Sequence, residues 1–496
     1  LENAQLMFGG RVGRNTGSFS QDIGNWDTSK LTNMSQMLQR LPHFNQDITT
    51  KEVTVGGRTY IAWDVSKVTT FFQTFYGSTT FNQPIGNWKI NTGSAVTMQN
   101  MFTQAIGFNQ EISQSNQTLG GNNYIAWDTK EVNNMAHMFE SARSFNKNIG
   151  NWNTKNVTSF LQMFYANNLF NQDISKWNTT SSISMYRMFA STPFNNNGLP
   201  LTSSQVTQHG ETYNAWDTRN VINMSRMFEG NNTYPAAFNQ DISNWDTSNV
   251  TNFSFMFSTT SNNFNQSINT NPVTVGGRSY NAWDVSKATN FSNMLYGQRT
   301  FNQPVGNWQI NTGSAVNMSS LFYDNIAFNQ DINTKETTVG TKTYIAWDTE
   351  AVTTLASTLR SCINFNQPLN KWNTSNVTNF HETFFNNESF NQNLSSSVIN
   401  VGSKTYTAWD TSAGTTFEET FKDCNIFNGN IGNWNVSNAK TLNRMFDNCL
   451  NFNQDVSSSV QTVGGTTYIA WDVENVTDFY RVFINMIFII SLSFFL

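Results

Sequence analysis

Charge is scarce in this sequence. Only 12% of the 496 residues are charged and the net charge is -5, against about 25% charged in an ordinary soluble protein. No basic stripe runs along the chain, so nucleic acid, which needs rows of Lys and Arg to neutralise phosphates, is not an expected partner. Histidine and cysteine are scarcer still, at four and three. His43, His137, His209 and His381 are scattered without metal-ligand spacing, so no metal site is expected. Phosphate-cradling glycine loops and the nucleophile elbow are absent. We expect neither a cofactor nor enzymatic activity. Cys362, Cys424 and Cys449 each stand three residues before a phenylalanine, where other copies of the phrase carry Ala or Ser. Their odd number and shared register point to free, partly buried thiols.

Long apolar runs are lacking too, except at the end. Residues 482–496 are apolar apart from Asn485, Ser491 and Ser493, yet this run falls short of the ~20 residues that span a bilayer. A degenerate last repeat is expected there. A membrane anchor is the alternative, and membrane contact follows only in that case.

What the chain has is tryptophan in one place. All fifteen tryptophans, from Trp26 to Trp471, sit in copies of a single phrase, as in "FNQDISNWDTSNVTNFSFMF" at residues 238–257. Their spacings are 25 residues (29 once) or 37 to 39. A unit of about 25 residues with an optional insert of 12 to 14 therefore recurs, and internal repetition decides the architecture. Within a unit, Val250, Phe253, Met256 and Phe257 have the spacing of one helical face, and the preceding Asp246, Thr247, Ser248 and Asn249 are good caps. A short helix or a few tight turns are expected there, with a short strand over Phe238–Ile242.

Such a unit has no partner within itself for its large side chains. Stacking must cover them, aligning Phe on Phe and Trp on Trp in a continuous core. The expected fold is a repeat solenoid of about fifteen coils over residues 19–483. Residues 1–18 are expected to form a partial coil or N-terminal cap, and 484–496 an apolar C-terminal tail. The asparagine after the unit's Phe recurs from Asn45 to Asn453, and stacked side chains of this kind can bond from coil to coil.

The inserts occur seven times, as in "EVTVGGRTYIAWD" before Trp63 and "PVTVGGRSYNAWD" before Trp283. Two β-prone runs flanking Gly-Gly read as hairpins with a primed turn, so seven hairpins are expected on one edge. A tyrosine stands three residues before Trp in every insert: Tyr60, Tyr124, Tyr213, Tyr280, Tyr344, Tyr406 and Tyr468. These seven are the candidate binding residues, because loops carry function and aromatics are enriched at interfaces. Packing of each ring on its own hairpin or on the adjacent Trp is the competing role.

A longer duplication sets residues 53–112 against 273–332, both containing "INTGSAV". Growth by block copying suits a spacer or display rod, and no place unlike the others stands out.

Residues 244–257, 151–164 and 371–384 carry the phrase almost unchanged. In these stretches the chain resembles the BspA-like leucine-rich-repeat surface proteins, in the branch whose repeat reads NWDTSNVTNMSxMF followed by FNQDI. The resemblance runs from about residue 19 to about residue 483. It implies a right-handed leucine-rich-repeat-like solenoid on a secreted or surface-displayed protein, with adhesion or protein binding as its role; the expected partner is protein or glycan on a cell surface or matrix. It implies no catalytic residue. The inserts depart from the plain family repeat. A passive structural or display rod is the second expectation.

Overall fold

The computed structural model describes residues 2–9, 19–230, 237–259 and 264–485. Most of the expected N-terminal cap and nearly all of the apolar tail lie outside the described residues. The chain divides into two compact units, one built on Leu1–Asn249 with the fourth hairpin's tip at Thr274–Ser279, the other on Val250–Ser258, Asn263–Val273 and Tyr280–Leu496.

Both units are tandem repeats with short antiparallel strand pairs and almost no helix. In unit 1, parallel one-residue bridges run from Asn3 through Asn33, Thr70 and Thr97 and from Asn134 through Ser159 and Ser184 to Asn223. The paired segments Val96–Thr97 and Val132–Asn134 join these two runs. In unit 2 the bridges start at Asn252 and end at Asp478. Backbone pairing therefore falls at the position of Asn252. The expected strand over Phe238–Ile242 is not formed. The reason lies in the asparagines: Asn366 N–H donates to the Asn329 side-chain oxygen at 3.0 Å, and Asn391 N–H donates to Asn366 in the same way. A side-chain ladder takes the N–H groups that a backbone ladder would have used.

The helical spacing is also realised differently. Among the described residues there is no α-helix, and a single 3₁₀ turn spans Asn196–Gly198. Where a helix was one of the expected forms, left-handed residues recur four apart, as at Gln36 and Arg40 (φ 58° and 55°) or Ser357 and Ser361 (φ 55° and 56°). Between them the N–H groups alternate. Met37 N–H bonds back to Met34, whereas Gln36 and Leu38 donate to Phe72 and Thr74 of the next repeat. Tight turns thus place side chains at helical intervals while the backbone bonds along the stack.

The core is a set of ladders. Fourteen of the fifteen tryptophans are buried, the exception being the half-buried Trp26. Phe81, Phe108 and Phe145 stack at 6.0 Å steps, and Trp308, Trp347 and Trp372 at 5.9 and 6.2 Å. Each buried indole also needs a partner for its N–H. Trp88 donates to the Ile48 carbonyl at 2.9 Å and Trp434 to the Leu394 carbonyl at 2.8 Å, each on the preceding repeat. The three cysteines are free and fully buried. Cys424 donates its thiol to the Phe384 carbonyl at 2.8 Å, as the Ser78 hydroxyl donates to Leu38 in the same register.

Candidate functional site

Seven hairpins stand where the sequence puts them: Lys51–Val55 with Arg58–Ala62, Ser115–Leu119 with Asn122–Ala126, Ser204–Gln208 with Glu211–Ala215, Asn271–Val275 with Arg278–Ala282, Lys335–Val339 with Lys342–Ala346, Ser397–Val401 with Lys404–Ala408, and Ser459–Val463 with Thr466–Ala470. We number them 1 to 7. Each closes with a two-residue turn, and Gly56 and Gly57 adopt φ of 58° and 79° as a primed turn requires.

The insert changes its own tryptophan. Trp63, Trp127, Trp216, Trp283, Trp347, Trp409 and Trp471 all have φ near 50°, whereas no tryptophan of a plain repeat does. A plain-repeat tryptophan such as Trp152 bonds its N–H three residues back, to Ile149; after a hairpin, Trp127 N–H bonds instead to the Trp88 carbonyl of the preceding repeat. In six of the seven hairpins, all but the second, a hydroxyl at the base holds the left-handed corner. Thr334 donates to the Trp347 carbonyl and Ser396 to the Trp409 carbonyl, both at 2.6 Å.

The tyrosine row is held inward by its hydroxyls. Tyr60 donates to the Asn25 carbonyl, Tyr124 to Asn87, Tyr213 to Lys176, Tyr344 to Asn307, Tyr406 to Lys371 and Tyr468 to Asn433, at 2.5 to 2.7 Å. Each acceptor lies just before the preceding repeat's Trp. Tyr344 is buried and the other six, Tyr280 among them, are half-buried. Burial pushes the Tyr213, Tyr344 and Tyr406 phenols up to about 12. These six hydroxyls are thus engaged within the protein, and Arg58 and Lys342 lie over the Tyr60 and Tyr344 rings at 5.3 and 5.6 Å. Charge supports several hairpins at their tips: Arg58 pairs with Asp27 at 2.6 Å, and Lys404 with Asp348 and Glu350 at 2.6 Å. The exposed pairs, Arg58 with Asp27 and Lys404 with Glu350, contribute about 0–1 kcal/mol each.

The hairpins overlap, which the sequence reading missed. A Cβ added to Gly120, the first turn residue of hairpin 2, would meet the Glu52 carboxylate and Ile61 of hairpin 1. These two residues are a cross-strand pair. Gly402 of hairpin 6 lies in the same way on Glu336 and Ile345 of hairpin 5, and Gly464 of hairpin 7 on Val398 and Thr407 of hairpin 6. The first turn glycine therefore serves close approach as well as positive φ. Apart from those of hairpins 1 and 3, each turn rests on the hairpin two repeats earlier. The one longer interval, where Trp152 and Trp177 both sit in plain repeats between hairpins 2 and 3, breaks this overlap. One place is thus unlike the others, contrary to the sequence reading, and its signal was two consecutive 25-residue Trp spacings.

The chain matches the model of the family described as "Mycoplasma protein of unknown function, DUF285", in six successive segments: 58–124, 114–215, 204–275, 269–345, 335–406 and 397–489. The chain belongs to this family. No curated protein and no solved structure matches it. The first five DUF285 segments begin on a hairpin or within two residues of one and end on the next, and the last begins on hairpin 6 and runs past hairpin 7. In this chain the matched unit is therefore the stretch from one hairpin to the next, and 114–215 is the segment that contains the additional plain repeat.

Proposed function

We propose that the chain is a surface-displayed or secreted repeat protein that binds protein or glycan partners along its hairpin edge. In this reading its repeats are coils of a right-handed leucine-rich-repeat-like solenoid, about fifteen in number, of the BspA-like branch. The observation that carries the reading is the overlap of the hairpins. It repeats outward-facing groups in a fixed register within each unit, so a partner with repeated features meets several weak contacts at once and gains affinity from tethering.

One observation favours a passive display rod instead: the tyrosine hydroxyls are spent on backbone carbonyls, as struts would be. The two readings separate in a pull-down from host-cell surface and matrix extracts, run beside a glycan array. The intact chain is compared with one whose seven inserts are cut back to the plain "IGNWD" form. Partners captured by the intact chain alone support binding at the hairpins. Equal capture by both chains, or none by either, removes the hairpin edge as the site.

A further inference from the structure

Five of the six steps between successive hairpins span two repeats, and the step from hairpin 2 to hairpin 3 spans three. Within unit 1 this leaves the outer face of hairpin 2 uncovered. Its cross-strand pair is Asn116 with Ile125, the counterpart of Glu52 with Ile61 on hairpin 1. Ile61 and Ile345, which lie under a turn, are half-buried, whereas Ile125 is 42% exposed. A cavity of about 470 Å³ lies over this face, lined by Asn116, Tyr124 and Ile125. A second of about 640 Å³ adjoins it across Ile125, walled on the far side by His209 and Glu211 of hairpin 3.

Three substitutions coincide with the gap. The first turn residue of hairpin 3 is His209 (φ 55°), at the position where a glycine meets the preceding hairpin elsewhere. With no neighbour to approach, a side chain is tolerated there, although the left-handed backbone still costs about 1 kcal/mol. The charge after the turn is reversed: Arg58, Arg278 and Lys404 reach acids, but Glu211 meets Lys155 at 2.7 Å. At the base of hairpin 2, Gln114 replaces the hydroxyl that elsewhere caps the Trp carbonyl, and its buried side-chain oxygen accepts no hydrogen bond.

We propose that this gap, the one interior step at which the overlap is broken, is a binding site for a β-turn of a partner protein, a glycine-bearing turn that seats on Asn116 and Ile125 as the chain's own turns seat on the equivalent pairs. The surface is continuous in kind with an interface the molecule already forms within itself. The occupant's chemistry follows: a glycine at the first turn position, so that backbone approaches within van der Waals distance of Ile125, and a backbone N–H within reach of Gln114. The proposal rests on the reading of the hairpins as a binding edge, but it places the seat at an interruption of the overlap where that reading has a contact at every hairpin.

The test uses the full chain with Ile469→Glu, because Ile469, at the same position of hairpin 7, is 49% exposed and would offer a second seat. The probe is a labelled, backbone-cyclised peptide copying Ser397–Ala408, whose Gly402 seats on the Ile345 pair. Fluorescence anisotropy should show saturable binding, weakened at least tenfold by the further change Ile125→Glu. Ile125 is exposed, so this variant keeps its fold, which circular dichroism verifies. A second variant lacks residues 153–177, which restores the two-repeat interval and brings hairpin 3 onto the seat; it should lose binding to the same extent. No saturable binding, or equal binding by the Ile125→Glu chain, overturns the proposal. The peptide result is independent of whether trimmed and intact chains capture the same natural partners, so failure of either reading is seen separately.

Discussion

Trp127 bonds its backbone N–H to the carbonyl of Trp88, at 3.0 Å, from a left-handed φ of 49°. A bulky residue in this region costs about 1–3 kcal/mol. The corner persists because a hairpin must leave and rejoin the repeat without disturbing the indole ladder, and a reversed residue does this while keeping Trp127 stacked on Trp152 at 5.8 Å. Cutting the second insert back to the plain form should return Trp127 to the negative φ of the plain-repeat tryptophans. Its N–H would then bond three residues back within its own repeat, and an amide-exchange or NMR measurement that still found the inter-repeat bond would contradict this account.

The indole ladder should dominate stability. Replacing Trp308 by Ala removes a fully buried side chain and leaves the Ile268 carbonyl without its donor at 2.7 Å, a loss of about 3–5 kcal/mol. Trp308→Phe keeps most of the packing and should lose about 1–3 kcal/mol, from the orphaned carbonyl. Urea unfolding orders the two variants, and equal midpoints would show that the indole bond contributes nothing.

In the asparagine ladder, Asn329 accepts from the Asn366 N–H and from the Gln367 side chain, both at 3.0 Å. Asn329→Ala should lower stability by about 0.5–1.5 kcal/mol, because an exposed bond is partly replaced by water. Asn329→Asp keeps the acceptor and should restore most of the loss at neutral pH. Failure of Asp to rescue would mean that the ladder works through packing alone.

Alkaline pH should weaken the protein through its tyrosines. Burial raises the Tyr213, Tyr344 and Tyr406 phenols from 10.0 to about 12. The unfolded chain thus gives up these protons first. The stability they contribute is complete below pH 10 and is lost as pH rises from 10 to 12. The urea midpoint should fall over that window and fall less in the triple Tyr→Phe variant; a parallel fall in both chains would rule out the phenols as the cause.

How much of this was legible follows the side chains. The tryptophan register located the repeats and all seven hairpins, since a twelve-residue insert with Gly-Gly or a close equivalent has one local solution. The phrase around Val250, Phe253, Met256 and Phe257 shows its spacing but not its backbone, because turns bonded to the next repeat reproduce the intervals of a helix. The strand was misplaced onto Phe238–Ile242 for a related reason: apolar ends suggest pairing, yet Asn239 N–H is taken by the Asn195 side chain. Overlap between hairpins depends on contacts two repeats apart, and periodicity is silent about these. Only the run Trp127, Trp152, Trp177 hinted at the gap.

The tyrosine row should act collectively if it acts in binding. Tyr280→Ala alone should change partner affinity little, whereas Tyr280, Tyr344 and Tyr406 changed together should reduce it steeply, provided unfolding shows each chain still folded. Changing the three to Phe removes only hydroxyls, which Tyr344 and Tyr406 direct at backbone carbonyls, and should leave affinity within about twofold, an effect under roughly 0.4 kcal/mol.

Binding that resides in the hairpin row should grow with the length of that row. It is tested most directly by surface plasmon resonance of a captured partner against chains that retain all seven hairpins, the last three, or none. The account predicts a stepwise fall in affinity, dominated by faster dissociation, and no measurable binding once the last hairpin is gone. The same affinity for the chain without hairpins as for the intact chain would contradict it.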